Sequence, residues 1–376
     1  MDDIFDKEEI DQDTVKPDVL DSLFDKKYYL VTESPVRESK LSYINKIHGT
    51  RSFKFAVSTS NNNGIEIFDL QKDSLSPVCR LSGHTKSLTE VVFSPKEDHL
   101  LYSAGNDGLL KLWDLRAGGS CAQEYKDKED ELIRPFECMD VACNGRILCA
   151  GSQVVEDEAY LIFWDQRMPK PLGGYWNTHQ DDITQVKFHK EKAEILVTGA
   201  NDGLLNVYNV LEETEDDALS FSMNVQNSVE KLTWLNSIQI ACVTQSNDFQ
   251  IWDTTTGDLV RSYSREKVAK GIKRSKEDDC YIVDAFTTAE DATVLLAGSH
   301  GGDEETLRSV TVAEKKLKPY ANFKENSQIV RCCLYYKDPD LLVTAGEAGR
   351  LSVWSGRCGP RAPRKATHPN NRYKPY

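Results

Sequence analysis

Histidines and cysteines are the residues of this 376-residue chain with the greatest capacity for catalysis or metal binding. The seven histidines are dispersed, and none of the ten cysteines forms a CxxC pair, whereas zinc requires closely spaced ligands to complete a tetrahedron. The chain also lacks the GxSxG, P-loop and HExxH motifs. We therefore predict a protein without enzymatic activity, metal or cofactor, whose cysteines are reduced and mostly buried.

Two acidic segments carry side chains that could bind cations. Gly298–Glu305 contains glycines and carboxylates between two strand signals, and we interpret it as a long turn, with a calcium or phosphate site as the alternative. Glu212–Leu219 is interpreted as a solvated loop, because pairs of acidic residues occur throughout a chain of this composition.

A basic stretch, Arg265–Asp279, contains six Lys or Arg residues. Its residues Lys270, Lys273 and Arg274 are candidates for contact with an acidic partner or with nucleic acid, and the alternative is a solvated, mobile loop. Few aromatic residues accompany these charges, so base stacking is not expected. Since the net charge of the whole chain is −14, nucleic acid is not the expected partner.

The two ends of the chain have opposite charge. Residues 1–25 hold ten acidic groups and two lysines, and residues 357–376 hold six basic groups and no acid. Both are predicted to be disordered tails, because low apolar content and one-signed charge cannot offset the entropy of ordering. No apolar run approaches the ~18 residues of a membrane span, and the N-terminus lacks the pattern of a secretory signal. Cytoplasmic or nuclear residence is expected, without membrane association.

An apolar run closed by an aromatic and a small polar or acidic residue recurs along the chain. Its closures are Phe68-Asp69, Trp113-Asp114, Trp164-Asp165, Tyr208-Asn209, Trp252-Asp253 and Trp354-Ser355. Successive closures lie 45, 51, 44 and 44 residues apart, and the last gap is 102 residues. That gap corresponds to two repeats, with the missing closure near Val312. The period is that of a four-stranded repeat of roughly 40–45 residues.

Each period contains several short strand signals separated by turns. In the second, Leu88–Phe93 alternates apolar and polar residues, Leu100–Gly105 follows a polar loop, and Asn106-Asp107-Gly108 predicts a tight turn before the next strand. This is the pattern of one blade of a β-propeller.

The chain resembles the WD-repeat family through Gly83-His84 with Trp113-Asp114, and through His179 with Tyr208-Asn209. The resemblance implies an all-β, seven-bladed WD-repeat β-propeller spanning residues 26–356. It also implies two buried hydrogen-bonded networks: His84, Ser103, Asp107 and Trp113, and His179, Thr198, Asp202 and Tyr208. In the second network Tyr208 replaces a tryptophan, so that network is expected to be looser. In blade seven Ala348 stands where the turn aspartate would be, so a broken network is expected there.

A second resemblance concerns Arg116 and Arg167, which close the sequences Trp-Asp-Leu-Arg and Trp-Asp-Gln-Arg. This WDxR pattern is similar to the box by which WD-repeat receptors dock on the damaged-DNA-binding adaptor of cullin-RING ubiquitin ligases. An arginine just past the third strand could make a bidentate carboxylate contact. The alternative is that such an arginine has no docking role, since it is common in propellers that are not receptors.

The ends of the repeat region predict how the propeller closes. No fourth strand follows Leu351–Trp354, and Tyr28–Val31 is a strand signal without a blade, so we expect the two to pair and complete the last blade. The function predicted from the fold is a non-enzymatic scaffold for protein–protein interaction, monomeric outside its complexes. The alternatives are a substrate receptor of a cullin-RING ubiquitin ligase and, from another class, an enzyme acting at the mouth of the channel.

Overall fold

A computed structural model describes residues 10–36, 43–60, 63–127, 133–301, 305–314 and 316–357. In these residues the strands form seven four-stranded antiparallel sheets. The innermost strand of each sheet contacts the innermost strands of the two neighbouring sheets, so the seven sheets form a closed ring around a central channel. This confirms the predicted seven-bladed β-propeller.

The N-terminal elements and the first three blades are defined first. The chain enters through α1 (Pro17–Leu23) and β1 (Tyr29–Pro35). Blade 1 consists of β2 (Ile44–Gly49), β3 (Lys54–Thr59), β4 (Gly64–Gln71) and β5 (Ser74–Ser82). Blade 2 consists of β6 (Leu88–Phe93), β7 (Leu100–Gly105), β8 (Leu110–Asp114), a 3₁₀ turn (Leu115–Ala117) and β9 (Cys121–Tyr125). Blade 3 consists of β10 (Phe136–Val141), β11 (Ile147–Ser152), β12 (Leu161–Asp165) and β13 (Pro171–Tyr175).

The remaining blades follow the same plan, with two helical insertions. Blade 4 consists of β14 (Ile183–Phe188), β15 (Ile195–Ala200), β16 (Leu204–Asn209), α2 (Glu215–Ala218) and β17 (Leu219–Asn224). Blade 5 consists of β18 (Val229–Trp234), β19 (Gln239–Thr244), β20 (Phe249–Asp253) and β21 (Leu259–Tyr263), and α3 (Arg265–Gly271) follows it. Blade 6 consists of β22 (Cys280–Thr287), β23 (Thr293–Ser299), β24 (Thr306–Val312) and β25 (Leu317–Asn322). Blade 7 consists of β26 (Val330–Tyr336), β27 (Leu341–Gly346), β28 (Arg350–Ser355) and β1.

Blade 7 is completed by the N-terminal strand, as the sequence predicts. β1 pairs antiparallel with β28, with Tyr29 opposite Ser355 and Leu30 opposite Trp354. The pairing covers the edge of β28 and ties the two ends of the repeat region together, which removes an exposed strand edge.

The third strand of blade 6 ends at Val312, where the sequence lacks an aromatic-acidic closure. The predicted sixth repeat is therefore present, although no Trp-Asp pair marks it. Turn chemistry is retained elsewhere: Gly108 and Gly203 have φ angles of 73° and 78°, in the left-handed region that glycine adopts without strain. These two glycines end the Asn-Asp-Gly turns of blades 2 and 4.

The prediction of a disordered acidic tail over residues 1–25 is wrong for residues 10–25. These residues include α1, and the side chains of Leu20 and Phe24 are buried against the propeller. The charges of Asp11 and Asp13 are balanced by Arg274 and Arg308, and Leu20 and Phe24, four residues apart, are buried, so ordering is compensated. Residues 1–9 and most of the predicted C-terminal tail, 358–376, lie outside the described residues.

In the part of the chain that the structure describes, no helix is long and apolar enough to cross a membrane.

Candidate interaction sites

The predicted network of blade 2 is a continuous chain of hydrogen bonds. The indole N–H of Trp113 donates to Ser103 Oγ at 2.8 Å, and Ser103 Oγ lies 2.8 Å from His84 Nε2. His84 Nδ1 lies 2.9 Å from the carboxylate of Asp107, which also accepts the backbone N–H of Thr85. All four side chains of the predicted set are buried. The network ties the loop before β6 to the turn between β7 and β8, which lie at the same end of the blade.

The corresponding network of blade 4 takes a different route. His179 Nε2 lies 2.7 Å from Thr198 Oγ1 and His179 Nδ1 lies 3.0 Å from Asp202. The hydroxyl of Tyr208 lies 2.5 Å from Thr178 Oγ1, and Asn206 Nδ2 donates to it at 3.3 Å. The phenol thus bonds to the residue before the histidine, because its oxygen extends along a different line from an indole N–H.

Glu215 of α2 extends this second network in a way that the sequence did not predict. Its buried carboxylate accepts the backbone N–H groups of Trp176, Asn177 and Thr178 at 2.8 to 3.0 Å, and the hydroxyl of Thr178 at 2.7 Å. The interpretation of Glu212–Leu219 as a solvated loop is therefore wrong at Glu215. Three orphan N–H groups of the preceding loop need an acceptor, and this carboxylate supplies it.

Arg116 and Arg167, the two WDxR arginines, lie at equivalent positions of blades 2 and 3. Their side chains are 68% and 63% exposed, so a partner could reach either one. Each guanidinium is held by the aspartate two residues earlier, with N···O distances of 2.6 to 3.0 Å in the shortest bonds. The hydrogen bonds from Arg116 lower the pKa of Asp114 to about 2. Both arginines are therefore accessible, but each already has a carboxylate as its own partner.

The basic stretch Arg265–Asp279 is not the single solvated loop that the sequence predicts. Its first half is α3, where Lys270 is exposed and pairs with Glu266. Lys273 is partly buried, and its carbonyl accepts the N–H of Thr14 at 3.0 Å. Arg274, named as a candidate contact for an external partner, is buried beneath residues 11–13. Its partner is intramolecular because the N-terminal segment folds over this end of blade 6.

Two arginines, two serines and one backbone N–H define a site that we call the arginine groove: Arg274, Ser275, Lys276 N–H, Ser299 and Arg308. Arg274 Nε donates to Asp11 at 2.6 Å, and Arg308 donates to both carboxylate oxygens of Asp13, at 2.6 and 3.0 Å. Burial would raise the pKa of Asp11, but hydrogen bonds from Ser299, the Lys276 N–H and Arg274 lower it to about 2. The carboxylate therefore stays ionised.

The central channel is lined by polar side chains in a regular layer. Every innermost strand has a register shift at its first residues, and the residues that follow the shift are Lys46, Glu90, Cys138, Gln185, Lys231, Asp284 and Cys332. Two ion pairs join neighbouring blades in this layer, Lys46 with Glu90 at 3.0 Å and Lys231 with Asp284 at 3.2 Å. These pairs link blade 1 to blade 2 and blade 5 to blade 6 along the channel wall.

Two residues further along the strands, Asp140 accepts the Phe188 N–H of the next blade at 2.7 Å. Burial raises the pKa of Asp140 to about 6, and the charge of Lys187 opposes the rise. The channel forms a cavity of about 1050 Å³ with lysines and carboxylates interspersed along its wall. In the described residues no group of three or more His, Cys, Asp or Glu side chains could hold a metal ion. These channel residues were not predicted from the sequence, although they share one position in the first strand of each blade.

Trp176 is the exposed tryptophan of the chain. The other five tryptophans are at most 7% exposed, whereas Trp176 is 46% exposed. Its ring lies 6.3 Å from that of Tyr160, on which the guanidinium of Arg134 stacks at 4.2 Å. Trp176 also lines a cavity of about 260 Å³ together with Glu213 and Asp216. We call Arg134, Tyr160, Trp176, Glu213 and Asp216 the Trp176 surface. Trp176 stands outside every strand closure, but so does the buried Trp234, so this position alone does not predict the exposure.

Comparison with known proteins identifies the same repeat. The family described as WD domain, G-beta repeat matches residues 75–114, from β5 to β8. The chain is 23% identical over 302 residues to the WD repeat-containing protein 89 homolog of Dictyostelium discoideum, which covers 80% of this chain and 79% of that relative. It is 23% identical over 253 residues to the WD repeat-containing protein GTS1 of Arabidopsis thaliana, covering 66% of this chain and 62% of that protein. It is 27% identical over 344 residues to Restriction of telomere capping protein 1 of Saccharomyces cerevisiae, covering 85% of this chain and 23% of that protein.

Proposed function

We propose that this chain, a seven-bladed β-propeller built from WD repeats, serves as a non-enzymatic scaffold for protein–protein interaction. The observation that carries the proposal is the exposure of Trp176, a side chain that the rest of the fold buries wherever it occurs. Exposed tryptophan is characteristic of the energetic centres of protein interfaces, because its large ring contributes much area at a small cost in side-chain entropy.

The support beneath Trp176 is rigid. Its backbone N–H is held by Glu215 at 2.8 Å, and Glu215 is itself tied to the hydroxyl of Thr178. Tyr160 stands opposite, at the start of β12, where Leu161 pairs with Tyr175 of β13. An aromatic side chain fixed on strand ends binds a partner with less loss of entropy than one on a mobile loop.

Further apolar side chains are exposed along the same blade. Met168 and Leu172 are 48% and 53% exposed, and they flank the turn that joins β12 to β13. Blade 3 thus exposes apolar side chains at both ends of its outer strand, Met168 and Leu172 at one end and Trp176 at the other. Clusters of this kind mark interaction sites on proteins that otherwise cover their core.

Affinity purification with quantitative mass spectrometry tests the proposal. Wild type is compared with Trp176→Ala and with Val78→Ala, a matched control whose side chain is 57% exposed on blade 1. The partner proteins recovered with wild type and with Val78→Ala should be recovered in at least about tenfold lower amount with Trp176→Ala. Loss of an interface centre that contributes about 1.4 kcal/mol or more lowers the affinity by this factor. Equal recovery with all three chains would contradict the proposal.

A role as a substrate receptor of a cullin-RING ubiquitin ligase stays a prediction. The support for it is that Arg116 and Arg167 are both exposed at the same position of adjacent blades. An Arg116→Ala/Arg167→Ala variant in the same purification distinguishes this role: loss of a ligase adaptor in that variant alone supports it. Recovery of no adaptor with wild type would leave the general scaffold as the function.

A further inference from the structure

The arginine groove of blade 6 holds the segment Asp11–Thr14 in the manner of a bound peptide. Asp13 and Arg274 form an antiparallel bridge, in which Thr14 N–H donates to Lys273 O and Ser275 N–H donates to Gln12 O, both at 3.0 Å. The segment therefore adds a short strand to the edge formed by 273–275. Strand addition of this kind is a common mode of peptide recognition, since main-chain bonds give affinity and side-chain pockets give specificity.

The spacing of the two carboxylates matches the spacing of the two arginines. Residues i and i+2 of an extended segment point to the same face, so Asp11 and Asp13 both face the groove, and the intervening Gln12 is exposed. Asp11 contacts Arg274, and Asp13 contacts Arg308 and, at 3.3 Å, Arg274. The groove thus binds two acidic side chains separated by one residue, whose own side chain is exposed.

The attachment of this segment is polar, in contrast to the attachment of the helix that follows it. Ile10 is 69% exposed, and in residues 10–16 the only buried side chain is that of Asp11. Leu20 and Phe24 are 7% and 0% exposed and anchor the next part of the chain to the propeller. The segment can therefore leave the groove while the anchor stays in place, because different forces hold the two.

The two arginines favour an anionic occupant. Their side chains are only 7% and 5% exposed, and a buried cation without its partner is strongly unfavourable. These exposures hold with Asp11–Thr14 in place, and when the segment leaves, water replaces the carboxylates at Arg274 and Arg308. An acidic peptide that restores the two charge pairs regains the contacts that the segment makes.

We propose that the arginine groove is a binding site for an extended acidic peptide of a partner protein, with two carboxylates spaced two residues apart, and that Asp11–Thr14 occupies it in cis. The tethered segment competes at the high effective concentration that a short connection gives. An external peptide displaces Asp11–Thr14 when the contacts of this cis segment with the groove are weakened, or when the peptide makes additional contacts of its own.

A binding experiment on the full-length chain tests the proposal. The labelled peptide comprises residues 8–16, and its affinity for the wild-type chain, for Asp11→Asn/Asp13→Asn and for the charge-matched control Asp18→Asn/Asp25→Asn is measured by fluorescence anisotropy. The control aspartates are exposed and do not contact the groove arginines. We expect the Asp11→Asn/Asp13→Asn chain to bind at least about tenfold more tightly than wild type and the control to match wild type.

The peptide itself supplies the second control. A peptide with both aspartates replaced by asparagine should bind the Asp11→Asn/Asp13→Asn chain at least about tenfold more weakly, and higher salt should weaken binding of the acidic peptide. Equal affinity of the two peptides, or equal affinity of the three chains, would overturn the proposal.

A measurement on wild type alone covers the case in which the variant does not fold. Excess acidic peptide should accelerate hydrogen exchange of the Thr14 amide, which donates to Lys273 O, without changing exchange in blade 2. No acceleration, or the same acceleration by the asparagine peptide, would show that Asp11–Thr14 is a fixed structural part of blade 6.

Discussion

Blade 2 and blade 6 satisfy their buried polar groups in opposite ways. In blade 2 the network runs from His84 to Trp113 within one repeat. Counted from the bulge of the first strand, Leu295 of blade 6 takes the place of Ser103, and Val312 that of Trp113. Both are apolar, so blade 6 lacks the equivalent of this network.

The polar pairing of blade 6 lies instead at the ends of its strands. Arg308, at the start of β24, is paired with Asp13, which is 295 residues away in the chain. A repeat can therefore lose its internal network when another segment of the chain supplies the missing partners. The local network is recognisable in the sequence from the spacing of its residues, whereas the remote pairing has no such spacing.

The largest effect is expected from Asp11→Asn/Asp13→Asn. Removing both carboxylates breaks the charge pairs with Arg274 and Arg308, and breaking a buried pair costs at most about 3–5 kcal/mol, less where water reaches the arginines as the segment detaches. Denaturant unfolding of this variant and of Asp18→Asn/Asp25→Asn measures the difference. Wild type should lose part of this stability in acid, as pH falls from about 4 through the pKa of Asp11 at about 2. Equal stability of the two variants would show that the N-terminal segment contributes nothing to blade 6.

Asp140, in the channel, gives a pH dependence of the opposite sign. Because burial raises its pKa to about 6 in the folded chain, the protonated form is favoured there, and this stability is lost as pH rises from about 4 through 6. Asp140→Asn keeps an oxygen to accept the Phe188 N–H without the charge. Its stability relative to wild type should increase across this range, by at most about 3 kcal/mol at about 1.4 kcal/mol per pKa unit. Thermal melts at pH 5 and pH 7.5 measure it, and a constant difference would contradict the assignment.

Trp113→Phe tests the local network of blade 2. The substitution retains most of the apolar volume but leaves Ser103 without the indole donor, at a cost of about 1–3 kcal/mol. Tyr208→Phe should cost less, since Thr178 keeps its bond to Glu215 when the phenol oxygen is removed. Denaturant melts of the two variants decide the order. A larger loss for Tyr208→Phe would mean that the second network is the stronger.

The smallest effect is expected from Lys270→Ala in α3. Lys270 is 71% exposed, and its pair with Glu266 is a surface pair one helical turn apart. Such pairs contribute little because solvent screens them. The melting temperature should not change measurably, in contrast to substitution of the neighbouring buried Arg274. A clear fall would show that α3 depends on this pair.

The sequence predicted the features that arise within one repeat. His84, Ser103, Asp107 and Trp113 lie at spacings that a four-stranded blade brings together, and the structure joins them. The closing pair of β1 and β28 was also predictable, because a strand signal without a blade stands at one end and a blade short of a strand at the other.

The residues that the sequence misplaced are those whose partners lie in another blade or another segment. Arg274 belongs to a run of basic residues that resembles a solvated loop, and Glu215 to an acidic run with the same character. Each is buried by a partner that no local spacing indicates: Asp11 for the arginine, and the N–H groups of 176–178 for the glutamate. Charge composition gives the sign of such residues but not their surroundings.

The sequence by itself determined the number of blades, their strands and the local networks, because side-chain period, turn residues and repeat length are properties of neighbouring residues. Only the tertiary structure decided which charges are buried, which tryptophan is exposed and where the N-terminal segment lies. Those outcomes depend on contacts between segments up to about 300 residues apart, as with Asp13 and Arg308. The free energy of such a contact comes from the desolvation and pairing of groups that only the folded ring brings together.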